Sequence, residues 1–121
     1  MSPQPTDITL HRASRILEIA FDDGARFKLP CEYLRVHSPS AEVRGHGPGQ
    51  EVLQVGKENV NIAAIEPVGH YAVKLFFDDG HDTGLYSWSL LYDLGVNQER
   101  NWRRYLARLA EAGYQRNPSA P

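Results

Sequence analysis

Two eight-residue segments of this chain are near copies of each other: LEIAFDDG at residues 17–24 and VKLFFDDG at residues 73–80. Each alternates apolar side chains with others and then reaches Asp-Asp-Gly, the pattern of a strand running into a tight hairpin turn. Glycine supplies the positive φ of such a turn, and aspartate accepts hydrogen bonds from the turn backbone. Each copy is followed by a short second strand, Arg26 to Leu29 in the first unit, and then by a helical turn, EYLR at 32–35 and SLLY at 89–92. Two units are too few for a solenoid, so they are expected to share one core. The fold class that follows is α+β: a small antiparallel sheet system, in one or two sheets, made of two hairpin-plus-helical-turn units.

The remaining segments are weaker signals. Ile8 to Leu10 predicts a strand before the first copy, and Val60 to Ile65 predicts one before the second, ended by Pro67 and Gly69. Within the Ser-, Gly- and Pro-rich stretch HSPSAEVRGHGPGQ, short strands are expected at Ala41 to Arg44 and, just beyond, at Glu51 to Val55. Asn97 is placed to cap one C-terminal helix running to about Ala112, with Trp102, Tyr105, Leu106 and Leu109 on its core face and Gly113 as its stop. Residues 1–6 and 115–121 carry too little apolar content to order themselves, which leaves residues 7–114 as the domain.

With 121 residues the chain has room for a single core and no second ordinary domain. A formal charge of −2 gives no long-range pull toward nucleic acid. Arg100, Arg103, Arg104 and Arg108 are grouped on the last predicted helix, but helical spacing sets them mainly on its solvated side. No apolar run approaches the length of a membrane span. A single cysteine and an N-terminus without an apolar signal core suggest the cytoplasm.

Catalytic signatures are sparse. Asp22-Asp23 and Asp78-Asp79 sit where a hairpin wants turn acceptors, and the second pair lacks the alternating ligands and closing Glu of a calcium loop. Ser87 and Ser89 have no Gly-x-Ser-x-Gly elbow and are suited to capping the helical turn that follows. GHGPG at 45–49 precedes a strand pattern and not the helix that would bind an anion. Cys31, His37, His46, His70 and His81 can each ligate a metal, yet no two have the close spacing of a legible zinc site.

The segment IEPVGHYAVKLFFDDGHDTGLYSWSLLYDLG, residues 65–95, resembles the signature of the gamma-butyrobetaine hydroxylase-like N-terminal domain family. LPCEYLRVHSPSAEV, residues 29–43, resembles its second characteristic segment, and the likeness extends over about residues 8–95. In the eukaryotic hydroxylases this domain precedes an iron- and 2-oxoglutarate-dependent catalytic domain; elsewhere it stands alone or is fused to a nucleotide-dependent iron–sulfur scaffold ATPase. The resemblance implies a domain without the oxygenase chemistry. It also implies zinc ligands, through Cys-x-Cys-x-x-Cys and a later His, at positions that here are Ser38, Ser40, Val43 and His81. Only the histidine keeps a zinc-ligating side chain, so no bound metal is expected.

The expectation is a non-catalytic accessory module that engages a protein partner, connected with iron–sulfur cluster assembly or enzyme regulation. Its surface candidates are Arg35, His37, His81, Asp82 and Tyr86. The alternative is a zinc- or iron-binding protein with a site rebuilt from His37, His46, His81 or Cys31.

Overall fold

A computed structural model describes residues 3–45 and 49–116. The first unit is β1 (Pro5–His11), β2 (Ile16–Phe21), β3 (Arg26–Pro30) and the short helix α1 (Cys31–Val36). After a second short helix, α2 (Ala41–Arg44), the second unit repeats the order as β4 (Ile62–Val68), β5 (Ala72–Phe77), β6 (Leu85–Ser87) and α3 (Trp88–Val96). A final helix, α4 (Gln98–Glu111), closes the chain. The strands form two separate three-stranded antiparallel meanders, β1-β2-β3 and β4-β5-β6.

The duplication goes deeper than the sequence. Both turns close with the same bonds: Phe21 N–H to Ala25 O at 2.8 Å and Phe77 N–H to His81 O at 3.0 Å. Asp23 Oδ1 accepts from Ala25 N–H at 2.9 Å and Asp79 Oδ1 from His81 N–H at 3.2 Å. Gly24 and Gly80 take φ of 90° and 89°, which an L side chain rarely adopts. The first Asp of each pair accepts the N–H of the residue before the leading strand, Gln4 to Asp22 and Asn61 to Asp78. Even the strand irregularities match, with register shifts at Pro5/Asp7 opposite β2 and at Ile62/Ala64 opposite β5.

The two sheets share one interior. Leu17, Ile19 and Phe21 from β2 and Val73, Leu75 and Phe77 from β5, equivalent triads of the repeat, lie in a single buried cluster with Leu29, Leu34, Tyr86 and Leu91. The helices cross between units. Arg35 of α1 donates from Nε to Asp79 in the second turn at 2.8 Å, and Tyr92 of α3 donates to Asp23 in the first turn at 2.5 Å. Arg35 and Tyr92 end the corresponding segments EYLR and SLLY, so each unit clasps the turn of the other through the same position. Two buried phenols add to the joint, Tyr33 donating to Leu94 O and Tyr86 to Leu34 O, each at 2.6 Å.

Several local expectations are corrected. Ala41–Arg44 is a helix and not a strand, because Ser40 Oγ accepts the Glu42 N–H as an N-cap. Residues 51–55 form no strand. Pro67 sits inside β4; this is an edge strand paired only with β5, so the missing donor leaves no gap in the ladder. There are two C-terminal helices instead of one. Ser87 caps α3 by accepting Leu90 N–H at 3.1 Å, whereas the Asn97 side chain turns back to Asp93 and does not cap α4. The core stripe of α4 is Asn101, Tyr105 and Leu109; Leu106 is 39% exposed and Trp102 half-buried. At the ends of the described chain, β1 begins at Pro5 and Arg116 is ion-paired with Glu32.

α3 lies on the first sheet at Gly95, where a Cβ would meet the Phe27 ring at 2.4 Å. That ring is wedged edge-on between Phe21 and Tyr92. Gly95→Ala is therefore expected to lower stability by about 1–3 kcal/mol, the usual effect of overpacking, despite alanine's better helix propensity. Denaturant titration against wild type checks it.

Candidate functional site

The four positions of the implied zinc site are drawn to one place. Ser38 follows α1, Ser40 caps α2, Val43 lies within α2, and His81 is the first residue after the second turn glycine. All four are buried, Ser38 completely. Ser38 Oγ lies 2.8 Å from His81 Nε2, and His81 Nδ1 lies 3.2 Å from Glu42 Oε2. A carboxylate only accepts, so the ring proton sits on Nδ1, and Nε2 accepts from the Ser38 hydroxyl. Ser38 Oγ accepts in turn from Ser40 N–H at 3.2 Å, and Ser40 Oγ lies 2.7 Å from Thr83 Oγ1. Gly84 makes this close approach possible, because a Cβ there would stand 2.5 Å from Ser38 Oγ.

An ion-pair network backs the cluster. Asp79 accepts from Arg35 and, at 2.7 Å, from Lys57. Partial burial works against its ionisation, but Lys57, the His81 N–H and Arg35 outweigh it and hold the carboxyl at about 2. Burial, aided by the Arg35 charge, pushes the His81 imidazole below its ordinary value, which keeps it neutral. The Arg35 guanidinium is itself buried, and its Nη1 has no hydrogen-bond partner among the described residues.

These residues do not fit zinc. One imidazole, a Ser38 hydroxyl already bonded to it, a Ser40 hydroxyl bonded to Thr83 and a valine are a poor donor set, and among the described residues no three His, Cys, Asp or Glu gather to hold a metal. The other candidate ligands are elsewhere. His37 packs at a tilt against the Tyr33 ring and donates from Nδ1 to the Tyr33 carbonyl at 3.0 Å. Cys31 is buried facing Asn61 Oδ1, its thiol pushed up to about 11 by desolvation. His70 is exposed. His46 lies outside the described residues.

The serine, imidazole and carboxylate stand in the order of a hydrolase relay, which spacing in the sequence does not reveal. The hydroxyl is nevertheless wholly buried and already accepts a backbone N–H. Of the five surface candidates, Arg35, His81 and Tyr86 are buried, because Asp79, Ser38 and the Leu34 carbonyl satisfy them; His37 and Asp82 remain partly exposed. No helix among the described residues is long and apolar enough to cross a membrane.

Solved structures share this architecture. Two NMR solution structures match at 62% identity over 97% of this chain and 87% of theirs, with TM-score 0.82, and at 49% identity over 100% and 95%, with TM-score 0.84. A crystal structure from Acidithiobacillus ferrooxidans, described as a protein with unknown function of the DUF971 family, matches at 39% identity over 76% of this chain and 92% of its own, with TM-score 0.65. No curated protein matches. The family model described as gamma-butyrobetaine hydroxylase-like, N-terminal, matches residues 8–92, which take in both turns and all four positions of the buried serine–histidine cluster, and the chain belongs to that family.

Proposed function

We propose that this protein is a non-catalytic accessory module that works by binding a protein partner. The observation behind this reading is the state of the His81 cluster: both ring nitrogens and the Ser38 and Ser40 hydroxyls are bonded inside the protein, which is how a structural pin is built. What the cluster presents outward is the loop after His81, where Asp82 is partly exposed, Thr83 exposed and Leu85 48% exposed. An exposed leucine beside a carboxylate suits a contact patch better than a substrate pocket. The connection to iron–sulfur cluster assembly or enzyme regulation rests on the fusions found in the family.

Affinity capture of the native protein, followed by mass spectrometry, tests the reading against an Asp82→Lys/Leu85→Asp variant whose fold is verified by circular dichroism. Wild type is expected to retain a stoichiometric partner that the variant loses. Identical capture by both would remove this surface. A turnover activity abolished by Ser38→Ala, with the fold intact, would overturn the non-catalytic assignment.

A further inference from the structure

A cleft of about 400 Å³ opens between the end of α1, α2, the segment at residues 49–54 and α4. That is within the size range of small-molecule sites. Its cations come from separate parts of the chain, Arg44 from α2 and Arg104 and Arg108 one turn apart on α4, and the His37 ring also lines it. None of these three arginines has an ion-pair partner among the described residues, whereas Arg26, Arg35, Lys57, Arg103 and Arg116 are all paired. Val36, Val43 and Leu53 supply apolar lining.

The charge balance narrows the ligand. Glu51 also lines the cleft, with its carboxyl held low first by its own backbone N–H and also by Gly49 N–H, Arg108 and Arg44. His37 stays neutral, depressed by burial and by the three guanidiniums. Three guanidiniums against one carboxylate leave two positive charges in excess. A phosphate monoester carries about −1.5 to −2 near neutral pH, and guanidinium forks match its oxygens in pairs. A monocarboxylate would leave one of the two uncompensated.

We propose that this cleft binds a small phosphomonoester, its phosphate taken by Arg44, Arg104 and Arg108 and its organic body lying on Val36, Val43 and Leu53. The site is separate from the loop assigned to a protein partner, and either assignment can fail without the other.

Amide and histidine NMR titrations at constant ionic strength test it with phenyl phosphate, inorganic phosphate and benzoate as probes. Phenyl phosphate should saturate, moving amides at 36–44, 49–54 and 101–108, with at least about tenfold higher affinity than either benzoate or inorganic phosphate. The His37 titration midpoint should rise in the complex, because a dianion beside the ring favours its protonated form. Arg104→Gln/Arg108→Gln should bind at least about tenfold more weakly with unchanged thermal stability, while Arg100→Gln, on α4 but outside the cleft lining, should bind like wild type. Absence of saturation, shifts spread over the whole surface, or wild-type affinity in the double variant would overturn the site. Equal affinity for inorganic phosphate or for benzoate would overturn the ligand class.

Discussion

Asp79→Ala is expected to destabilise the protein by about 3 kcal/mol, while Asp23→Ala, the equivalent change in the first unit, should have a much smaller effect. The two aspartates occupy matching turn positions and accept matching backbone N–H groups, so turn chemistry alone predicts no difference. The difference comes from what clasps them. Asp23 meets a neutral phenol on an exposed surface, whereas Asp79 faces the buried Arg35, whose Nη1 already lacks an acceptor among the described residues. Removing the carboxylate leaves a buried cation uncompensated, the situation in which breaking an ion pair is most destabilising. Urea titration of the two variants checks the ranking, and equal midpoints would show that Arg35 finds water or another acceptor. The same pair sets an acid limit. The folded-state value of Asp79 is depressed from 3.8 to about 2, so its contribution is complete above the ordinary value and is lost as pH falls toward the lower one. Wild type should therefore lose stability across that window by more than Asp79→Ala does.

Ile19→Ala and Leu75→Ala should each cost about 2–5 kcal/mol, the range for emptying a fully buried aliphatic site. Both residues are completely buried, they occupy equivalent positions in β2 and β5, and they belong to the same cluster. If the two sheets had separate interiors, each substitution would loosen its own half and produce two transitions. A single core predicts one transition, shifted by either change and read identically by far-ultraviolet circular dichroism and by tryptophan fluorescence, since Trp88 and Trp102 both pack against that cluster. Distinct midpoints from the two probes would mean that the halves unfold separately.

The repeat is legible in the sequence because strand alternation and Asp-Gly turns are local signals, carried by neighbouring residues whatever lies across the core. Ala41–Arg44 shows the limit of such signals. Four residues have no resolvable period, and the decisive group is the Ser40 hydroxyl, a cap pattern hidden in a loop-like composition. Each sheet is a meander of consecutive strands, but whether the two units also join edge to edge depends on segments far apart in the chain, which propensity does not encode. The burial of Arg35, His81 and Tyr86 is hidden for a related reason: polarity places such residues outside by default, and only their partners, Asp79, Ser38 and the Leu34 carbonyl, reverse that default. The serine–histidine–glutamate chain joins residues about forty positions apart, so no spacing rule finds it.

The crossed clasp, Arg35 on the second turn and Tyr92 on the first, gives the molecule the logic of a twofold dimer whose subunits have been joined end to end. In a true dimer every substitution is made twice, and a site on one half necessarily appears on the other. Joining the halves lifts that constraint. After the first Asp-Asp-Gly this chain has Ala25 beneath an aromatic clasp, and after the second it has His81 beneath a cationic one. The two turns thus carry different side chains, and the buried histidine of the second draws Ser38 and Glu42 from the region that follows the first unit, an asymmetry that a symmetric assembly of identical half-length chains could not hold.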